Sequence, residues 1–217
     1  MEVKICGITR QEDLKSSEKF DPAFIGFINV KRSARYVDIQ KIKELKHSME
    51  DSNKAILILE PDDAADVIKK AEECDIKNVQ LHSLSPGEIL KIDEINVIRA
   101  IGIGAKLSVA KIEEIKQFSE VCDYLLFDSI ISGKSGGTGN QIPVEIALKA
   151  AEVARMCNSG IKLFLAGGMN IKRIKKDGKI ISEIFDYVDV NSGVEDAPGI
   201  KNDLKIKEFM EICMVIE

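Results

Sequence analysis

Val3-Lys4-Ile5-Cys6-Gly7-Ile8-Thr9-Arg10 opens the chain and changes character half-way along. β-branched residues flank a lysine as far as Ile5, as in a strand, and the run then breaks at Cys6-Gly7. Thr9 suits the cap of a helix that has Asp13 in its first turns. The stretch predicts a strand, a loop and a helix. Cys6 then lies where ligands bind in parallel α/β folds, or is simply a small buried apolar residue.

The same pattern of an apolar run followed by a helical stretch recurs along the chain. Further strands are expected at residues 23–28, 55–59, 78–82, 96–101, 124–127, 162–166 and 187–190. Helices are expected at residues 13–20, 38–46, 62–73, 85 onward, 108–119, 144–156, 170 onward and 201–214. Continuous apolar strands of this kind are typical of a parallel sheet that helices cover on its faces.

Eight strand-helix units share 217 residues, and roughly 27 residues per unit suffice for a closed barrel. We therefore expect an α/β fold, a (β/α)8 TIM barrel, as one domain over residues 1–217. An open doubly wound sheet is the alternative. It usually has Gly-x-Gly-x-x-Gly after its first strand, whereas this chain has Cys6-Gly7-Ile8-Thr9 there.

Composition narrows the classes of function. The net charge of -5 gives no electrostatic footprint for nucleic acid. No apolar run reaches membrane-spanning length and no signal peptide is evident, so we expect a cytoplasmic protein that binds no membrane. Five scattered cysteines without a Cys-x-x-Cys pair argue against a disulfide framework or a zinc site. With only two histidines, no metal is expected.

Polar residues and glycines follow the predicted strands, and in a barrel these strand ends meet at one mouth. They are Cys6, Arg35, His82, Asp128, residues 136–139, Gly167, Gly168, Asp189, Ser192 and Gly193. Each has a simpler interpretation: a loop histidine, a surface ion pair for the arginine, a loop cap for Asp128, or a tight turn for the glycines. Those interpretations do not explain why all of them occur at the same end.

Two glycine turns predict a phosphate site. Gly167-Gly168-Met169-Asn170 leads into a helix N-terminus, and Ser192-Gly193 follows the next strand. Backbone amides after the seventh and eighth strands are the usual phosphate site of such barrels, and glycine lets the backbone approach an anion closely. We expect a small phosphorylated substrate.

The chemistry on offer is one thiol and one carboxyl group. A thiolate can take a proton from carbon, and a carboxylic acid can donate one to oxygen. A free cysteine titrates near ~8.5, and an anion-binding environment is expected to lower the pKa of Cys6. The apolar run 124–127 is expected to raise the pKa of Asp128. An acid and a base on one substrate predict an isomerase.

Six blocks of sequence together resemble the phosphoribosylanthranilate isomerase family of tryptophan biosynthesis. They fall in order along nearly the whole chain: residues 3–9, residues 25–27 with Ser33-Ala34-Arg35-Tyr36, Val79-Gln80-Leu81-His82, Gly136-Gly137-Thr138-Gly139, Leu165-Ala166-Gly167-Gly168-Met169-Asn170, and residues 189–195.

The resemblance implies an Amadori rearrangement of N-(5'-phosphoribosyl)anthranilate to 1-(o-carboxyphenylamino)-1-deoxyribulose 5-phosphate. Cys6 matches the general base at ribose C2, and Asp128 the general acid at the ring oxygen. Arg35 and Asp189 match residues near the anthranilate part, with His82 as a further substrate contact. The expected phosphate site comprises Gly137, Gly139, Gly167, Gly168, Ser192 and Gly193. The implied enzyme needs no cofactor and is a monomer or homodimer.

Three departures from the family pattern leave alternatives open. Residues 56–60 replace the usual Gly-Val-Phe-Val-Asn, Asn140-Gln141 replaces the usual lysine and its successors, and Asn191 replaces a common serine. One alternative is a paralogous barrel that isomerises another phosphorylated aminosugar. The other is a catalytically silent barrel that binds a phosphometabolite or a partner enzyme.

Overall fold

The computed structural model describes residues 1–131, 134–135 and 141–216. Its eight barrel strands are β1 Glu2–Cys6, β2 Phe24–Ile28, β3 Ala55–Leu59, β4 Asn78–Leu81, β5 Asn96–Ile103, β6 Tyr124–Ile131, β7 Lys162–Leu165 and β8 Tyr187–Val190. The helices between them are α1 Gln11–Glu18, α2 Ile39–His47, α3 Ala64–Cys74, α4 Pro86–Ile89, α5 Val109–Ser119, α6 Val144–Cys157, α7 Ile171–Ser182 and α8 Asp203–Val215.

The eight strands close into a parallel barrel, so the predicted fold is confirmed. Each strand pairs with the next in chain order, β5 pairs with β6, and β8 returns to pair with β1. In that last pairing Lys4 lies opposite Asp189. Because side chains alternate along a strand, Lys4 and Cys6 share one face of β1, and both face the barrel interior.

Packing closes one end of the barrel and leaves the other open. Where the strands begin, Phe24, Tyr124, Phe164 and Tyr187 form an aromatic cluster, in which Phe164 and Tyr187 stack with centroids 4.3 Å apart. Isoleucines such as Ile56 fill the interior above it. The carboxyl ends of the strands therefore offer the accessible mouth.

Two predictions at the ends of strands are wrong. Thr9 does not cap α1: Arg10 occupies the N-cap and its side chain makes no capping hydrogen bond, and Thr9 Oγ1 instead donates to the carbonyl of Gly199 at 2.6 Å. β6 does not end at Asp128, because Asp128 pairs with Gly102 on a β5 that is itself longer than predicted.

None of the described helices is long and apolar enough to cross a membrane. Within the same residues, no three His, Cys, Asp or Glu side chains come together as a candidate metal site.

Candidate active site

A cavity of about 320 Å³ opens at the mouth of the barrel. Eight of the predicted site residues line it: Cys6, Arg35, His82, Asp128, Gly167, Gly168, Asp189 and Ser192. Gly193 packs just behind this lining. Gly137 and Gly139 lie outside the described residues. The strand ends thus bring together most of the side chains that the sequence singled out.

Cys6 ends β1 with its thiol buried in this cavity. Burial raises the pKa of Cys6 to about 11, although the ammonium groups of Lys4 and Lys201 favour the thiolate. The expected lowering of this pKa is therefore wrong, because loss of hydration outweighs the attraction of the nearby cations. In the free protein the thiol holds its proton.

Asp128 lies on β6 and is 9% exposed. Burial raises the pKa of Asp128 to about 6, and the charge of Asp189 adds to that effect. The backbone N–H of Ser129 donates to Asp128 Oδ1 at 2.8 Å, and this hydrogen bond lowers the pKa and so opposes the rise. The direction agrees with the sequence prediction, and a proton is available on this carboxyl at mildly acidic pH.

Lys4 is a fully buried cation that the sequence analysis did not single out. Its Nζ donates to Asp189 Oδ2 at 2.9 Å and to Gln80 Oε1 at 2.6 Å, and its charge favours the thiolate of Cys6. The signal was present in the sequence, because Lys4 is two residues from Cys6 and must share its face. Asp189 Oδ1 has no hydrogen-bond partner among the described residues, although it is buried and its residue lines the cavity.

His82 follows β4 and is linked to the barrel interior by Gln80, since Gln80 Nε2 lies 2.9 Å from His82 Nε2. Desolvation and the charges of Lys4 and Arg99 lower the pKa of His82 to about 4. His82 is therefore uncharged at neutral pH.

Arg35 is held by a buried carboxylate rather than by a surface ion pair. Its Nη2 and Nε donate to Glu195 at 2.6 and 2.9 Å. Glu195 also accepts from Lys201 Nζ, which donates to Asn191 Oδ1 at 2.9 Å. The sequence predicted that Lys201 begins the last helix. In the structure, Lys201 lies in a short hairpin before α8. This network fixes the guanidinium at the edge of the cavity.

The turn after β7 has left-handed backbone at Gly167 and Gly168, with φ of 76° and 62°. The carbonyl of Gly167 accepts from Arg173, and that of Gly168 accepts from Asn170 and Gln141. In a trans peptide the carbonyl and the following N–H point in opposite directions. The amides of Gly168 and Met169 therefore point away from those donors.

The turns after β7 and β8 are in contact. A Cβ on Gly193 would lie 2.0 Å from the carbonyl oxygen of Met169. Asn170 caps α7, as predicted, by accepting from the N–H of Arg173 at 2.9 Å. Two turns and a helix N-terminus thus form one surface next to the cavity, an arrangement suited to an anion.

Comparison with known proteins identifies the family. The family model for N-(5'-phosphoribosyl)anthranilate isomerase matches residues 3–212. The chain belongs to the phosphoribosylanthranilate isomerase family.

Relatives bearing that name cover nearly the whole chain. The enzyme from Methanothermobacter marburgensis is 32% identical, covering 97% of this chain and 93% of its own length. That from Methanothermobacter thermautotrophicus is 34% identical, covering 96% and 87%.

Solved structures of phosphoribosylanthranilate isomerases share the barrel. The Thermus thermophilus enzyme superposes with a TM-score of 0.82 at 22% identity over 100% of both chains. A second isomerase structure, in complex with reduced 1-(o-carboxyphenylamino)-1-deoxyribulose 5-phosphate, gives a TM-score of 0.78 at 24% identity over 99% and 98%.

Proposed function

We propose that this chain catalyses the isomerisation of N-(5'-phosphoribosyl)anthranilate in tryptophan biosynthesis, with Asp128 as general acid and Cys6 as general base. The observation that carries this assignment is a carboxyl group with a raised pKa that shares one cavity with a buried thiol, in a chain of this family.

The acid step comes first. Asp128 gives its proton to the ring oxygen of the ribose, and the bond from that oxygen to C1 breaks. The nitrogen lone pair forms the C1=N bond, so a cationic Schiff base results. Proton delivery to the leaving oxygen avoids the formation of a free alkoxide.

The base step uses the positive charge of the Schiff base that the acid step forms. A cationic Schiff base close to Cys6 favours the thiolate, and the ammonium group of Lys4 also stabilises the thiolate. The thiolate removes the proton from C2, and the electron pair neutralises the nitrogen. The resulting enolamine then tautomerises to the 2-keto product, so the reaction is an internal oxidoreduction from aldose to ketose.

The remaining residues of the cavity have the chemistry to hold such a substrate. Asp189 Oδ1, which lacks a hydrogen-bond partner in the described part of the chain, can accept from the substrate's amine or a hydroxyl. Arg35 provides a cation for the carboxylate of the anthranilate. His82 is an uncharged contact, and the turns at Gly167-Gly168 and Ser192-Gly193 are assigned to the phosphate.

The oligomeric state and the cellular location are further proposals. We propose a one-domain monomer or homodimer, and an isomerase structure from Thermotoga maritima is described as a monomeric form of a dimeric protein. All five cysteines are free, which fits a reducing compartment such as the cytoplasm.

The test is the loss of fluorescence of freshly made phosphoribosylanthranilate on addition of the protein. Cys6→Ser is expected to lower kcat on the order of 10²–10⁴-fold, as for a lost acid-base group. Asp128→Asn is expected to bind product nearly normally with a similar loss of turnover. The matched control is Cys157→Ser, because Cys157 is the exposed cysteine on α6, and it should retain full activity.

Three outcomes contradict the assignment. Wild-type protein that is inactive on this substrate but active on another phosphorylated aminosugar is a paralogue. Protein that binds product and turns over nothing is a silent barrel. A Cys6→Ser variant with near-normal kcat overturns the role of the thiol.

A further inference from the structure

Four side chains form a continuous hydrogen-bonded chain across the barrel: Asp189, Lys4, Gln80 and His82. The donor and acceptor of each hydrogen bond in this chain follow from the chemistry of the side chains. An ammonium group has only donors, so the atom of Gln80 that lies 2.6 Å from Lys4 Nζ must be the amide oxygen. The amide nitrogen is then the atom that faces His82.

The same logic sets the proton on the imidazole. The Gln80 amide nitrogen has only donors, so His82 Nε2, at 2.9 Å, must accept. A ring nitrogen that accepts a hydrogen bond carries no proton. The single proton of the neutral ring is therefore on Nδ1, which is left to donate.

We propose that Lys4 and Gln80 are positioning residues that hold His82 neutral, with its proton on Nδ1, as an oriented donor to the substrate beside Asp128. The inference deepens the proposed function and rests on it, because it assigns His82 to the same substrate. Its first test does not involve activity, so the two can fail separately.

The charges around His82 agree with a neutral ring. Lys4 on β1, Arg99 on β5 and Arg32 after β2 oppose an imidazolium, whereas Glu60 after β3 favours one. Glu60 is itself paired with Arg32, whose Nε lies 2.8 Å from its carboxylate. Burial acts in the same direction as the three cations and lowers the pKa of His82 to about 4.

Neutrality matters because His82 and Asp128 line the same cavity. An imidazolium there would favour the carboxylate of Asp128 and so remove the proton that the acid step needs. A neutral Nδ1–H contributes a hydrogen bond without that cost. The same arrangement lets His82 contact substrate without competing as the general acid.

The direct test is long-range ¹H–¹⁵N NMR of the two imidazoles between about pH 4 and 8. The chain has only two histidines, and His47 is exposed on α2, so His47→Gln assigns the spectrum without touching the site. We expect His82 to show the Nδ1–H pattern and to remain neutral above pH 5. An Nε2–H pattern in the wild-type protein, or protonation near the ordinary value of about 6.5, overturns the proposal.

Two substitutions test the chain itself. Gln80→Glu replaces the donor by a carboxylate, so His82 must place its proton on Nε2, and the pKa of the ring should rise toward or above its ordinary range. Gln80→Leu removes the donor without adding charge, and an Nε2–H population should appear. If either folded variant keeps the pure Nδ1–H pattern, Gln80 does not set the tautomer.

Kinetics then link the tautomer to the substrate. In Gln80→Glu, kcat/KM is expected to fall at least 10-fold, with an acid limb at the same pKa that NMR reads from His82. A merely structural loss would lower the rate equally at every pH. A variant with the altered tautomer and wild-type kcat/KM overturns the role toward substrate, whereas inactivity of the wild-type protein, with the expected spectrum, contradicts the proposed function alone.

Discussion

The acid Asp128 has a lower pKa than the base Cys6, although the reaction uses the protonated acid and the ionised base. The pKa of Asp128 is raised to about 6 and that of Cys6 to about 11. Burial causes both shifts, because it disfavours whichever form of a group carries charge. At neutral pH the free enzyme is mostly carboxylate and thiol. The form with acid and thiolate is a minor population, which the cationic Schiff base enriches once the ring has opened.

This order predicts the pH profile of kcat/KM. Below about pH 6 the rate should rise tenfold per pH unit, since Asp128 stays protonated while the thiolate fraction grows. Between about 6 and 11 the loss of protonated Asp128 cancels the gain of thiolate, so the profile should be flat.

Initial rates at low substrate from about pH 5 to 9 measure this profile, with preincubation controls for stability at each pH. A rate that falls steadily above pH 7 means that Cys6 is already ionised there. A rate that keeps rising means that Asp128 is not the acid.

At the scale of the elements, the strands were predictable and the connections between them were not. Continuous apolar runs such as 55–59 gave β3 its bounds directly. β6 runs past its predicted end because of its pairing with β5. Alternation along β1 places Lys4 on the same face as Cys6, but a lone lysine in a strand usually faces solvent and the sequence does not show its partner. Only barrel closure places it against Asp189, 185 residues away, and the same holds for Arg35 and Glu195.

The contact between the β7 and β8 turns predicts the effect of Gly193→Ala. The new Cβ would fall 2.0 Å from a backbone oxygen of Met169, so the two turns must separate. We expect KM for the phosphorylated substrate to rise at least 10-fold with a smaller change in kcat, and a loss of roughly 1–3 kcal/mol in stability from overpacking.

Steady-state kinetics and inhibition by inorganic phosphate measure this effect, because the same change should weaken both substrate and phosphate binding. The matched control is Gly160→Ala. A Cβ there meets nothing closer than 3.5 Å, and KM should not change. Normal phosphate inhibition in Gly193→Ala would show that the phosphate binds elsewhere.

For the whole molecule, the mouth of the barrel concentrates buried charge. Lys4, Asp189, Arg35, Glu195 and Lys201 are all less than 10% exposed, and they are joined in pairs. Paired buried charges recover much of their desolvation cost. Asp128 has no cation within hydrogen-bonding distance in the described residues, so its burial is compensated least.

Asp128→Asn should therefore stabilise the protein while it removes activity. The folded-state pKa of Asp128 is about 6, above its ordinary value of 3.8, so between these values the folded state binds more protons than the unfolded state. Stability then falls as pH rises through this window. Asparagine has no such cost and keeps the acceptor for the N–H of Ser129. The variant should be about 2–3 kcal/mol more stable than wild type above pH 7, at ~1.4 kcal/mol per pKa unit.

Denaturant unfolding at several pH values between about 4 and 8 measures the difference in unfolding free energy between the variant and the wild type. The contributions of groups common to both proteins cancel in this difference. The gain should shrink as the pH falls below 6 and be small near pH 4, where the wild-type carboxyl is protonated in the folded state and partly protonated in the unfolded state. Asp123→Asn, at an exposed carboxylate nearby in sequence, should change stability by no more than about 0.5 kcal/mol at any pH. A destabilised Asp128→Asn at pH 8 would mean that the carboxylate is favourably paired, and a paired carboxylate could not hold the proton that the acid step requires.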